Sequence, residues 1–303
     1  MTILNNESDG DLEILITMSK YLLGKPPLHS DDIKNIFVPN GGDPKKLNNT
    51  ILRWSQLGLF IKSGENLSLS EDFSSIKTSE FESAFPKKLC QLMFSEDNSP
   101  TEDFFKTGKN ASDLTRGIAW MLCQDPLKFS QYLGGNFDDL QSKFLNPQCN
   151  DKTIVQNNTR WPILRRWASF LGFVTGTESK SFLDPTLAVE RVLPDIFEDC
   201  KANIKQVEKR ELLPLDVFIK QLAIKVSVFD GGTHRLRVSS IINQKELALP
   251  LKDVLSKTTS LALKRLEFGK KIKLVNISDA ASSMSLDYEN NSSQETYDYI
   301  EVN

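Results

Sequence analysis

Few side chains in this sequence are suited to covalent or metal chemistry. The 303 residues include two histidines, His29 beside a predicted turn and His234 in a predicted strand, and four cysteines, Cys90, Cys123, Cys149 and Cys200. A Ser-His-Asp triad or a His-based zinc site would need one or both histidines in those places, and no two cysteines form a Cys-x-x-Cys pair. The expectation is structural histidines and buried free thiols, with neither a zinc site nor a disulfide framework. No Gly-x-x-x-x-Gly-Lys-Ser/Thr loop and no Gly-x-Gly-x-x-Gly stretch occurs, so neither phosphate cradle is written here. Asp138-Asp139 and Glu178-Ser179-Lys180 have the residue types of a metal-dependent nuclease, where carboxylates hold the metal and lysine orients water. Such spacings are common by chance, and Glu178 to Lys180 reads better as the polar tip of a hairpin. The sequence therefore predicts a non-enzymatic protein with no catalytic residue, no metal and no cofactor.

Binding chemistry is better represented. Lys257 to Lys273 carries Lys257, Lys264, Arg265, Lys270, Lys271 and Lys273 against Glu267, a net charge of +5. Arg160, Arg165 and Arg166 form a second cluster, and Lys45, Lys46 and Arg53 a third. Arginine and lysine suit phosphate and guanine edges, and asparagine such as Asn49 suits adenine. The whole chain is nevertheless at −3 with a pI near 5.6, whereas a duplex demands a basic face. The clusters also fit ordinary solvated helix faces.

The elements that must position these residues repeat along the chain. Asn48-Asn49-Thr50-Ile51-Leu52-Arg53-Trp54-Ser55-Gln56-Leu57-Gly58-Leu59-Phe60 is echoed by Asn157-Asn158-Thr159 and then Ile163-Leu164-Arg165-Arg166-Trp167-Ala168-Ser169-Phe170-Leu171-Gly172-Phe173. Each copy is an amphipathic, Trp-bearing helix stopped by Leu-Gly and followed by an apolar residue that opens a short strand. The tryptophans stand four and five residues before their glycines, a one-residue slip. Helix, glycine stop and hairpin in this order spell a winged helix-turn-helix, whose third helix enters the major groove.

Three such modules can be traced. In the first, residues 1–78, a core helix runs from Asp11 to Leu23 and Ser30 caps a short helix to Phe37. A third helix begins near Pro44, with Leu47, Ile51, Trp54 and Leu57 inward and Lys45, Lys46, Asn49 and Arg53 toward solvent. Two strands then flank Ser63 to Asn66. A helical connector, 79–109, leads to the second module, 110–188: a helix over Asp113–Cys123, a helix over Phe129–Phe144 broken at Gly134-Gly135, a third over Arg160–Leu171, and a hairpin. A connecting helix, 189–210, leads to a third module, 211–287. Its predicted parts are a helix over Leu215–Val228, a strand over His234–Val238, a short helix over Leu251–Leu255, a helix over Thr258–Phe268, and a hairpin of Lys271–Val275 with Met284–Leu286. Residues 288–303 hold acidic residues and no basic ones, and are expected to be a disordered tail. The fold class is mainly α with small β-hairpins (α+β), as tandem winged-helix modules joined by helices.

Apolar content of 39% with 25% charged residues is that of a globular protein. No apolar run approaches the roughly 20 residues that span a bilayer, and the acidic start lacks the features of a signal peptide. No membrane contact and a cytoplasmic location are expected.

The opening Ile3-Leu4-Asn5-Asn6-Glu7-Ser8-Asp9-Gly10, the core helix after it and the segment Leu52 to Phe60 resemble the DpdG proteins. That resemblance covers the length and the first module and implies a setting: bacterial clusters that place 7-deazaguanine derivatives in DNA and restrict foreign DNA, an antiviral (antiphage) defence. It implies an accessory role and no functional residue. Two readings stay open. One is a DNA-binding subunit that sets several winged helices along double-stranded DNA, with linked weak contacts summing through effective concentration. The other is a scaffold that recruits a helicase or nuclease of the same cluster, without touching DNA.

Overall fold

A computed structural model describes residues 2–4, 11–102, 104–106, 110–129, 137–149, 151–177, 180–207, 209–243, 253–277, 282–287 and 295–302. In chain order its first elements are α1 (Leu12–Leu22), β1 (Leu28–His29), α2 (Ser30–Phe37), α3 (Lys45–Gln56), β2 (Phe60–Ser63), β3 (Asn66–Leu69), α4 (Glu71–Ser74) and α5 (Phe81–Met93). There follow α6 (Ser112–Leu122), α7 (Pro126–Phe129), α8 (Phe137–Phe144), α9 (Trp161–Leu171), β4 (Val174–Thr177), β5 (Lys180–Leu183) and α10 (Thr186–Asp199). The last are β6 (Lys205–Val207), β7 (Arg210–Pro214), α11 (Leu215–Lys225), α12 (Thr233–Ser239), β8 (Val254–Leu255), α13 (Lys257–Phe268), β9 (Ile272–Val275), β10 (Met284–Leu286), β11 (Glu295–Tyr297) and β12 (Tyr299–Val302). Helices joined to sheets of two to four strands make the architecture α+β. The chain divides into two compact units, residues 1–115 with 159–167, and residues 116–158 with 168–303.

The first unit opens with α1, capped by the Asp11 carboxylate, which accepts from the N–H groups of Glu13 (3.0 Å) and Ile14 (3.3 Å). The side chain that caps α2 is His29, accepting from Asp31 N–H at 3.3 Å, and Ser30 is already the first helical residue. β1, β3 and β2 form one sheet in that order, with Leu28 opposite Leu67 and Phe60 opposite Leu69. Trp54 of α3 and Trp167 of α9 are both buried and lie against each other, ring centroids 5.5 Å apart. Phe81 and Phe85 stack at 4.6 Å on α5.

Both Leu-Gly phrases adopt the same chain reversal. Gly58 N–H donates to Ser55 O (3.2 Å) and Leu59 N–H to Trp54 O (2.9 Å). Gly172 N–H donates to Ser169 O (3.1 Å) and Phe173 N–H to Ala168 O (2.8 Å). This is the Schellman pair of bonds, which needs a left-handed residue. Gly58 and Gly172 supply it at φ +90° and +93°. Each hairpin is then tied back by one further bond, Ser70 N–H to Leu59 O and Asp184 N–H to Phe173 O. The slip between the tryptophans follows, because Trp54 carries the acceptor carbonyl itself and Trp167 stands one residue before it.

The second unit is built on a four-stranded sheet in the order β6-β7-β12-β9, with β8, β10 and β11 in a second sheet and β4-β5 as a hairpin. Leu212, Val275 and Tyr299 pack together on the first sheet. Phe197 and Phe218, on α10 and α11, meet at 6.3 Å.

This unit differs from the sequence expectation at several points. His234–Val238 is helical: burial falls on His234, Arg235 and Val238, and Leu236 is 58% exposed, a helical rather than an alternating pattern. Val254 and Leu255 form a strand parallel to β10, and Asp253, at φ +63°, bars a right-handed helix there; Leu251 and Lys252 lie outside the described residues. Connecting helix 189–210 is α10 followed by the antiparallel pair β6 and β7, and the break expected at Gly134-Gly135 falls outside the described residues. β9 does not pair with β10. It pairs with β12, Leu274 opposite Ile300, so Tyr299–Val302, part of the tail that was expected to be disordered, occupy the inside of the sheet. Tyr299 and Ile300 are buried there. The Asp298 carboxylate accepts from Ile277 N–H (2.7 Å) and the Ser283 hydroxyl (2.6 Å). Acidic count alone misread a segment whose interleaved tyrosines and isoleucine supply a strand.

Candidate nucleic-acid interface

The cations that the sequence singled out meet three fates. Lys45 and Lys46 lie exposed on the first turn of α3, and neither ammonium is in an ion pair among the described residues. Asp43 sets that turn by accepting from Lys45 N–H at 2.9 Å. Along the same helix Asn48 is exposed and Asn49 half-buried. Arg53, expected to face solvent, is only 3% exposed and is held within the fold. The buried face of α3 takes in Thr50 and Arg53 as well as Leu47, Ile51 and Trp54, so it is wider than the apolar residues alone mark out.

On and beside α9 the arginines are spoken for. Arg160 lies 3.9 Å from the buried Asp113 carboxylate, which also accepts from Leu4 N–H at 3.2 Å. Arg166 pairs with Glu13 of α1, and Arg165 is half-buried with partners inside the protein.

In the second unit most of the basic run is neutralised. Lys257 reaches Asp125 at 3.0 Å, Arg265 pairs with Asp184, and Lys271 meets Glu190 at 2.8 Å. The Glu190 hydrogen bond holds the Lys271 ammonium above its ordinary pKa. Lys264 donates to Glu267 (2.7 Å), Glu295 (3.1 Å) and the Tyr297 hydroxyl (3.1 Å). Burial alone would lower its pKa, but those bonds outweigh it and raise it. Lys270, at the left-handed φ of +56°, has an interaction within the protein, while Lys273 is exposed without an ion pair among the described residues.

A groove of about 350 Å³ lies between α2, α3 and the β2–β3 hairpin of the first unit, lined in part by Ile33, Asn48, Leu52, Lys62 and Glu65. Lys62 and Asn48 were not among the candidate residues. The available signal was a cation two residues before the hairpin glycine Gly64, and an asparagine three residues after Lys45.

The residue types of other chemistries are placed structurally. His234 is buried with Nδ1 2.6 Å from the Ser227 hydroxyl. Cys90, Cys123 and Cys200 are buried and Cys149 half-buried, all four as free thiols. Burial pushes the Cys123 thiol pKa up, which disfavours the nucleophilic thiolate. Asp138, in the first turn of α8, accepts from the Asn158 amide at 2.6 Å, while Glu178 lies outside the described residues. Among the described residues no group of His, Cys, Asp and Glu could hold a metal ion, and no helix is long and apolar enough to cross a membrane.

No curated protein and no solved structure matches the chain at a significant level. The profile of the DpdG-like family matches residues 1–280. With most of its length matched, the chain belongs to the DpdG-like family.

Proposed function

We propose that this protein is a non-catalytic, cytoplasmic, DNA-associated subunit of a bacterial DNA modification and restriction system that acts in phage defence. It touches double-stranded DNA through its first module, a winged helix-turn-helix in which α3 enters the major groove and the β2–β3 hairpin is the wing. The observation that carries this reading is the pair of unpaired, exposed cations Lys45 and Lys46. They stand at the start of a helix that also presents Asn48 and Asn49, beside a hairpin bearing Lys62. The N-terminal residues of such a helix reach base edges and the hairpin reaches phosphate. Arg53, Arg160, Arg165, Arg166, Lys257, Lys264, Arg265 and Lys271 are buried, partnered or both, which leaves Lys45, Lys46 and, in the third module, Lys273 as the exposed candidates without an ion pair among the described residues, so the reading centres on the first module. The test is duplex binding across a salt series. Affinity that falls steeply with salt, and weakens in a Lys45→Glu, Lys46→Glu variant, supports the reading; no binding at low salt overturns it.

A second reading, a scaffold that recruits a helicase or nuclease of the same cluster, is favoured by one observation. Ile36, Leu52 and Ile61, on α2, α3 and β2, are 48%, 44% and 49% exposed. Aliphatic side chains on a helix face suit a protein partner better than phosphate. Leu52→Glu distinguishes the two: it abolishes co-purification of a cluster protein if the scaffold reading holds, and leaves that association intact if α3 serves DNA.

A further inference from the structure

The exposed strip of α3 has a composition that phosphate contact alone does not explain. Lys45, Asn48, Leu52 and Gln56 follow one another at spacings of three, four and four, so they lie along one side of the helix, and all four are exposed. Leu52 stands in the middle of that strip at 44% exposure, an aliphatic side chain with polar residues one turn before and one turn after it. Asn48 and Leu52 together line the groove beside the β2–β3 hairpin, and the Asn48 amide makes no hydrogen bond among the described residues. A leucine has nothing to offer a phosphate.

The same strip discriminates among base edges. In the major groove adenine presents N7 and its amino group to an asparagine amide, which donates and accepts at once, and thymine presents a methyl group to an apolar side chain. Guanine is met by arginine or lysine, and cytosine by a carboxylate. The single arginine of α3, Arg53, is only 3% exposed, and α3 contains no carboxylate. Its two lysines stand on the first turn, ahead of Asn48, so the middle of the strip carries the groups for adenine and thymine alone. Asn48 and Leu52 are separated by about 6 Å along the helix, against about 3.4 Å between successive bases, so the two side chains suit pairs that are close neighbours.

We infer that α3 prefers A·T pairs, with Asn48 reading adenine at N7 and the amino group and Leu52 packing on a thymine methyl of a neighbouring pair. This rests on the proposed entry of α3 into the major groove and adds what that groove must contain. Lys45, Lys46 and Lys62 supply affinity, and Asn48 and Leu52 supply selectivity. The exposed leucine thereby has a nucleic-acid contact.

Binding of the full chain to short duplexes of alternating A·T or of G·C pairs, followed by fluorescence anisotropy, tests this. The A·T duplex is expected to bind about tenfold more tightly. Replacing its thymines by uracil deletes the methyl groups and should weaken binding by about fourfold, an effect that Leu52→Ala no longer shows. Replacing its adenines by 7-deazaadenine deletes N7 and should weaken binding by about tenfold, an effect that Asn48→Ala no longer shows. Both side chains are exposed, so neither variant should move the unfolding midpoint. Salt-dependent binding that is equal for the A·T and G·C duplexes, or base-analogue effects that persist in the alanine variants, overturns the inference and leaves DNA contact standing. Failure to bind any duplex at low salt overturns the DNA reading itself, and the inference with it.

Discussion

The helix α3 and the helix α9 end in the same phrase and meet the rest of the protein differently. Each closes with a Schellman reversal at a left-handed glycine, and each buries its tryptophan, the two rings lying against one another. Their cations diverge. α3 leaves Lys45 and Lys46 free at its first turn, whereas Arg160 and Arg166 are matched to Asp113 and Glu13. The repeated residues thus encode a helix stop and a core contact. What each helix can bind is decided by residues from elsewhere in the first unit.

The sharpest way to break this comparison is at the shared core. Trp54→Ala and Trp167→Ala are each expected to cost about 3–5 kcal/mol in denaturant unfolding, as large aromatic deletions do. Because the rings touch, the double variant should cost less than the sum of the two. A small effect at either position would mean that the duplicated helices do not share a core.

The next effect separates binding from folding. Lys45→Glu with Lys46→Glu should lower duplex affinity by about ten- to a hundredfold and reduce the slope of log affinity against log salt by about 2, with the unfolding midpoint unchanged. Arg160→Ala should do the opposite. It removes the guanidinium that stands 3.9 Å from the buried Asp113 carboxylate, at a cost of about 1–3 kcal/mol, and leaves the salt dependence of binding alone. Equal losses of DNA affinity from both changes would erase the difference between the two helices.

The local parts of this fold were legible in the sequence, the pairings much less so. Gly after a run of helical periodicity, with an apolar residue next, marks the reversal at Gly58 and Gly172 because few residues other than glycine take that backbone geometry cheaply. The inward Leu47, Ile51 and Trp54 followed from helical spacing. Arg53 did not, since its burial depends on what covers the flank of α3, and spacing within α3 says nothing of that. β12 was missed for the same reason: its partners Leu213 and Leu274 are far away in sequence, and only pairing with them turns Tyr299 and Ile300 into a core. Of the candidate site, the cations were legible as residue types, but their availability was not. Lys264 and Lys45 look alike in a sequence, and the difference is Glu267, Glu295 and Tyr297 gathered around one of them.

The smallest effects grade the two copies against each other. Alanine at either glycine must adopt a left-handed backbone, at a cost of about 1–2 kcal/mol. At Gly58 the new methyl finds open space, the nearest atom being Leu92 Cδ1 at 3.9 Å, so the backbone penalty is the whole effect. At Gly172 the methyl would stand 2.9 Å from the Ala188 backbone nitrogen and 3.2 Å from Arg191 Nη1. That nitrogen already donates to Gly172 O at 3.1 Å, and Arg191 Nη1 donates to Leu171 O at 2.9 Å, so neither neighbour can retreat without loss. Gly172→Ala is therefore expected to lower the unfolding midpoint more than Gly58→Ala. Arg166→Ala, whose side chain is half exposed in its pair with Glu13, should cost under about 1 kcal/mol and serve as the lower bound of the series. If Gly58→Ala proved the costlier glycine change, the α3 reversal would be under a constraint that its open surroundings do not supply.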